Sequence, residues 1–177
     1  MNKYYLDGVL VVEGKSDVSY LSSFISTLFF TTNGYDISDE KLDFLSRVSK
    51  VNRVVAMTDN DKAGKQIENV IKTKINGAFA VKSQIIARNS YKKSGVAETT
   101  KDAIVDALKL FLQEDNGQLK KLDYQLNRII TLSKNPEQVK EQIIKDYRLM
   151  KGNIKFLQNQ LQMLKVEPLE IIKKYGN

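Results

Sequence analysis

The chain has 177 residues, no cysteine, no histidine, and 28 Lys/Arg against 21 Asp/Glu for a net charge of +7. These counts exclude a disulfide framework, a zinc site of thiolates or imidazoles, and any cysteine nucleophile or histidine base within the chain. The length suits one domain or two small ones with a real core.

The N-terminal MNKYYLDG lacks the apolar core of a signal peptide, and no apolar run approaches a membrane span, so a soluble cytoplasmic protein without a membrane partner is expected. The β-branched run Val9 to Val12 predicts a buried strand over 8–13. A helix over 16–28, a short strand near 29–32 and a helix over 38–47 follow. Val54 to Met57 predicts a strand over 53–58, then a helix over 62–73, a strand over 78–86 and a helix over 100–113. Such alternation argues for an α/β fold, a mostly parallel sheet with helices on both faces. EDNGQ at 114–118 is a polar, glycine-containing break, which divides the chain into domains 1–115 and 116–177. Beyond it the pattern is a small all-α domain, with helices over 119–132, 136–147, 152–164 and 167–175. Pro136 and Pro168 sit at two of the helix starts. Phe156, Leu157, Leu161 and Leu164 share one helical stripe and read as core.

Two carboxylate sites carry the chemistry. Glu13 in VLVVEGKSD and the Asp59/Asp61 pair in VVAMTDNDKAGKQI each follow a predicted buried strand. In open α/β sheets the ligand crevice lies outside the carboxyl ends of the strands, where all three acids would sit. Asp59 and Asp61 point the same way, and Asn60 away, if their segment stays extended. A divalent cation could neutralise the cluster, and hard oxygen ligands suit magnesium best. Gly14 permits a tight turn, and Gly64 permits close approach of the following helix to a strand or a phosphate. Read alone, each residue is equally a solvated acid or a turn glycine at a strand end.

Taken in order, the apolar strand, EG, helix, apolar strand, DxD and G resemble the Toprim domain shared by topoisomerases, bacterial primases, overcoming-lysogenization-defect nucleases and ribonuclease M5. The resemblance implies a Rossmann-like Toprim domain in which Glu13 does acid/base work and Asp59 and Asp61 hold magnesium. Asp17 matches a further acid of many such sequences. Three more stretches are similar to ribonuclease M5: TTNGYDIS, with Asn33 and Gly34 matching; KKSGVAETTKDAIVDAL, a basic loop followed by Glu98 and a helix; and YRLMKGNIKFLQNQLQMLKVEPLEIIKKY near the C-terminus. Departures are Asn60 where the family usually has Pro, Lys15 where it has Arg, and KNPEQVKEQIIKDY where it has an Arg-rich helix. Arg and Lys are not interchangeable where phosphate is gripped bidentately.

Charge separates the two predicted domains. Residues 1–115 hold 16 Lys/Arg against 15 Asp/Glu, and residues 116–177 hold 12 against 6. A basic tail beside an acidic metal crevice suits a polyanion, although scattered lysines also serve solubility alone. The expected RNA-binding set is Lys15, Arg88, Lys92, Lys93, Lys120, Lys121, Arg148, Lys151 and Lys155. Tyr91 adds an aromatic to the basic loop, and that loop reads equally as a grip on RNA or as solvated surface. Glu98 reads either as a further metal ligand or as a cap on the helix that starts near Thr99 or Thr100.

The expectation is therefore a magnesium-dependent endoribonuclease. It would use one or two ions, with manganese as a substitute, and act on a structured RNA. The resemblance implies precursor 5S ribosomal RNA as that substrate, and a 5S-binding ribosomal protein or the large ribosomal subunit as a further partner. The alternatives are a Toprim nuclease acting on DNA or another RNA, and a catalytically silent RNA-binding or ribosome-assembly factor.

Overall fold

A computed structural model describes residues 4–34, 37–81, 95–114 and 122–176. The chain divides into two compact units, 1–119 and 120–177. The division falls within a stretch outside the described residues, as does the boundary expected at 115/116.

Unit 1 is built on β1 (Tyr4–Val12), β2 (Ile25–Thr31), β3 (Val54–Ala56), β4 (Phe79–Ala80) and β5 (Leu112–Glu114). The spatial order is β2-β1-β3-β4, all parallel, and β5 adds antiparallel to β1. β1 is long enough to be shared. β2 takes one edge along its length, while the other edge pairs with β5 at Tyr4–Leu6 and with β3 at Val9–Val11.

Both faces of β1 are buried, which is why its sequence is a near-continuous apolar run. Leu6, Leu10 and Val12 pack with Val55, Met57, Leu21, Phe24, Ile104 and Leu108, the last four contributed by α1 (Lys15–Leu21), the turn after it, and α4 (Lys101–Leu108). Val9 and Val11 are the alternate residues. They pair with Leu28 and Phe30 of β2, and Phe30 stacks on Phe44 of α2 (Asp39–Val48) with centroids 5.8 Å apart. Ile67 and Ile71 of α3 (Lys62–Lys74) are also fully buried. An α/β sheet with helices on both sides is thus realised.

Several element boundaries differ from those expected, for identifiable reasons. The helix expected over 16–28 ends at Leu21, and Ile25–Thr31 is strand. Ser22 and Ser23 turn their hydroxyls back onto the carbonyls of Ser19 and Tyr20, ending the helix, and the following run is aromatic and β-branched. The helix expected over 100–113 ends at Leu108, because Leu112–Glu114 completes the free edge of β1. The strand expected over 78–86 is Phe79–Ala80 within the described residues, and 82–86 lie outside them.

Unit 2 comprises α5 (Leu126–Leu132), α6 (Pro136–Asp146), α7 (Ile154–Met163) and α8 (Pro168–Tyr175). Pro136 and Pro168 occupy helix starts, where the missing N–H is no loss. Asn153 caps α7 by accepting the Phe156 N–H at 2.9 Å. Leu157 and Leu161 are fully buried as expected, but Phe156 is 38% exposed, and Gln160 takes an interior place instead. The Gln160 carboxamide accepts the Met150 N–H at 2.7 Å and donates to the Met150 carbonyl at 2.9 Å, so a polar side chain is buried with both ends satisfied.

Candidate active site

The ends of β1 and β3 present the acids. Glu13 follows β1 directly, and its Oε1 accepts the Asp59 backbone N–H at 2.8 Å, tying the two strand ends together. Asp59 Oδ1 accepts the Val96 N–H at 2.7 Å. Asp61 is the N-cap of α3, and its Oδ1 accepts the Gly64 N–H at 2.8 Å. Asp17, in the first turn of α1, is buried and accepts the Gly14 N–H at 2.9 Å. Four carboxylates are thus aimed by backbone amides.

Together with Glu98 they line a cleft of about 770 Å³. Asp59 and Asp61 both face it while Asn60 does not contribute to its wall. Among the described lining residues there is no Lys or Arg, and Ser16 and Asn33 are its neutral polar side chains.

Two glycines set how closely the parts approach. A Cβ at Gly64 would lie 2.0 Å from the Asp59 carbonyl oxygen and 2.8 Å from Glu13 Oε1. Only a residue without a side chain lets α3 start hard against both acids. A Cβ at Gly95 would lie 2.5 Å from Glu98 Oε2 and 3.1 Å from Asp59 Oδ2, so these two carboxylates crowd the same point of backbone. The role of Gly95 was not visible in the sequence; its only signal is a glycine that opens a short turn ending in an acid.

The clustering has a measurable electrostatic consequence. Burial raises the Glu13 carboxyl above its ordinary value, the Asp59 amide opposes this, and the Asp59, Asp61 and Asp17 charges raise it further. Burial also raises Asp17, against the Gly14 amide, with Asp59 and Glu98 adding repulsion. Asp59 is raised by burial, lowered by the Val96 amide, and raised by Asp61 and Glu98. These partly buried acids repel one another, an arrangement that favours a bound cation or a retained proton. Among the described residues no three acids already converge on one point at metal-binding distance, and Glu13, Asp17, Asp59 and Asp61 are each turned to a backbone amide.

The structure resolves some sequence expectations and redirects others. Glu98 does not cap α4. That role belongs to Thr100, whose hydroxyl accepts the Ala103 N–H, and Glu98 ends the short 3-10 turn Val96–Glu98 facing the cleft. Lys15 is exposed at the start of α1 and is not part of the cleft wall. Arg88, Lys92 and Lys93 lie outside the described residues, as do Lys120 and Lys121. In unit 2, Arg148 and Lys151 sit in the connection between α6 and α7, and Lys155 on α7. Lys151 and Lys155 are exposed, and Lys151 is paired with Glu141 at 3.1 Å. No described helix is long and apolar enough to cross a membrane.

Comparison with known proteins gives a consistent picture. A family model described as Toprim-like matches residues 10–94. A ribonuclease M5 of Mesoplasma florum is 39% identical over 106 residues, covering 56% of this chain and 59% of that protein. One of Mycoplasma mycoides subsp. mycoides is 32% identical over 132 residues, covering 70% of this chain and 72% of that one. One of Borreliella burgdorferi is 27% identical over 169 residues, covering 92% and 90%. The match to the Mesoplasma florum protein thus spans under two thirds of its length. Among solved structures, a small TOPRIM domain protein from Bacillus stearothermophilus is 20% identical, with a TM-score of 0.48, covering 64% of this chain and 98% of that one.

Proposed function

The chain belongs to the ribonuclease M5 family, and from that premise we propose that it is a metal-dependent endoribonuclease that hydrolyses phosphodiester bonds in a structured RNA, with precursor 5S ribosomal RNA as its substrate. The observation that supports this most is the cleft itself, which five carboxylates line beside the carboxyl ends of parallel β1 and β3 with no Lys or Arg among the described lining residues. A polyanion cannot enter such a cleft unless its charge is neutralised.

The donor set fits a hard divalent cation. Glu13, Asp59, Asp61 and Glu98 offer carboxylate oxygens only, the ligand type of magnesium and manganese. Glu13, Asp59 and Asp61 would hold one or two such ions, with Glu98 adjoining. When bound, magnesium supplies charge neutralisation at the scissile phosphate and lowers the pKa of bound water.

The chain's own residues do the rest. The Asp59, Val96 and Gly64 amides keep the acids oriented before substrate arrives, so little reorganisation is needed during reaction. Glu13, whose proton affinity is raised in the metal-free protein, would take a proton from the attacking water or return one to the leaving oxygen. Basic groups of unit 2 would position a folded RNA by its backbone and shape. A 5S-binding ribosomal protein would act by presenting that shape.

A second reading has its own support. Lys151 is neutralised by Glu141 and Lys174 by Asp146, which weakens unit 2 as a dedicated RNA grip. On that reading the same cleft cuts DNA or another RNA. The deciding experiment incubates the purified protein with folded precursor 5S RNA, an unrelated hairpin and duplex DNA, with and without magnesium. Magnesium-dependent cleavage of the 5S precursor alone is expected. Equal cleavage of DNA would favour the second reading, and undiminished cleavage in excess chelator would overturn the metal chemistry.

A further inference from the structure

A cleft that faces a phosphodiester with five acids needs donors, and among the described residues its wall supplies few. The neutral polar side chains are Ser16 and Asn33. Ser16 lies in the first turn of α1, next to Asp17, and lines the cleft with it. Asn33 comes from a different element, the turn after β2, and is exposed.

That turn is tied by its backbone to the end of β1 that carries Glu13. The Thr32 N–H donates to the Val12 carbonyl at 3.0 Å, and the Asn33 N–H donates to the Glu13 carbonyl at 2.9 Å, so the ladder between β1 and β2 continues to the acid itself. Lys41 of α2 donates its ammonium to the Thr32 carbonyl, fixing the same turn from the side. Asn33 itself has φ 54°, the left-handed conformation that residues with a Cβ seldom adopt. Its carboxamide makes no hydrogen bond with a described residue, although its own N–H and the Thr32 backbone before it are engaged.

We propose that Asn33 is a substrate-contacting residue, whose carboxamide N–H donates to a phosphate or ribose oxygen of RNA held in the cleft that it lines together with the carboxylates. The inference rests on the nuclease reading above. A neutral donor suits the place because a lysine or arginine there would pair with the acids and occupy the site, whereas a carboxamide leaves them charged. Lys41 is the positioning residue of this contact: it holds the turn and does not itself line the cleft.

Asn is also common in left-handed turns for backbone reasons alone, and one substitution separates the two roles. Asn33→Gly keeps or eases the φ 54° backbone and removes only the carboxamide. Asn33→Asp keeps the shape and adds a sixth carboxylate. Affinity for the folded precursor 5S RNA, measured by fluorescence anisotropy in a Glu13→Gln background that suppresses turnover, should fall about tenfold for Asn33→Gly and further for Asn33→Asp. In the chain with Glu13 intact, Asn33→Gly should raise KM by a similar factor with kcat little changed. Melting temperature should stay within a degree or two of the parent. Wild-type affinity and KM in Asn33→Gly would show that the residue serves the turn alone and overturn the proposal. A wild-type protein that binds this RNA without cutting it would remove the hydrolysis reading, while the binding measurement would still decide on Asn33.

Discussion

In unit 1, burial and then mutual repulsion raise the carboxyls of Glu13, Asp17 and Asp59, against the backbone amides that hold them. In unit 2, Asp146 accepts from Lys174 at 2.7 Å, from Tyr175 at 2.6 Å and from Gln142 at 2.6 Å, and its carboxyl is lowered to about 2, chiefly by the Lys174 hydrogen bond. Lys174 also lies over the rings of Tyr147 and Tyr175. The second cluster is complete as it stands, and its polar atoms answer each other. The first is a set of negative charges held in place against their own repulsion. Such an arrangement persists because the surrounding fold holds it, and it marks the first set as the candidate functional acids and the second as structural.

The sharpest way to break the comparison is to remove charge from the first cluster. Asp59→Asn or Asp61→Asn should lower single-turnover cleavage about a thousandfold or more, and Glu13→Gln by about 10²- to 10⁴-fold. The melting temperature of the metal-free Asp59→Asn protein should rise, since a repulsive charge has gone. Near wild-type cleavage in any of these variants would mean the cleft is not the active site.

Metal should sharpen it from the other side. At a magnesium concentration about 100 times its dissociation constant, ligand linkage stabilises the folded protein by about 2.7 kcal/mol. Calorimetry with and without chelator should show that gain for the wild type and its loss for Asp59→Asn. An equal gain in both would place the ion elsewhere.

A smaller effect is expected from the basic unit. Replacing Lys120, Lys121, Arg148, Lys151 and Lys155 together by Gln should weaken RNA binding and flatten its salt dependence, by about 0.7 to 0.9 in log-log slope for each phosphate that is no longer neutralised. Lys151 should contribute least, because Glu141 already neutralises it. Unchanged affinity and slope across several salt concentrations would make the tail a solvated surface.

The smallest effect concerns pH, and its sign differs between the units. A carboxyl raised in the folded state favours folding when protonated, so metal-free unit 1 should lose stability as pH rises from the ordinary carboxylate range of about 4 through the raised values. Asp146 is lowered, so its contribution is present above about 4 and disappears as pH falls toward about 2. Hydrogen exchange in chelator, corrected for intrinsic rates, should show the protection of unit 2 falling as pH drops below about 4 and that of unit 1 falling as pH rises above it. Asp146→Asn should abolish the change in unit 2 only.

Much of unit 1 could be read directly from the chain. Residues buried on both faces leave uninterrupted apolar runs, and the acids that end those runs are placed by the geometry of a parallel sheet. What stayed hidden depends on pairing between distant segments. Leu112–Glu114 becomes strand only because β3 is too short to cover the whole edge of β1. Ser22 and Ser23 end a helix that the spacing of apolar residues on either side would continue, and they do so through hydroxyl bonds that spacing does not register. Asp17 and Asn33 match a family pattern, but their presence in one cleft wall needed the fold. In unit 2 the exchange of Phe156 for Gln160 in the interior follows from the Met150 backbone, whose N–H and carbonyl both needed partners.

The close seating of Gly64 bears on any attempt to transplant this chemistry. The spacing of Glu13 and Asp59 depends on a missing atom: a Cβ at Gly64 would stand 2.0 Å from an Asp59 atom and 2.8 Å from a Glu13 atom. A designer who grafted the acids onto a different parallel sheet, and let a helix with an ordinary third residue follow, would obtain the right charges at the wrong separation. The portable unit is therefore the two strand ends together with the first turn of the following helix, and its least conspicuous member is the one that cannot be exchanged.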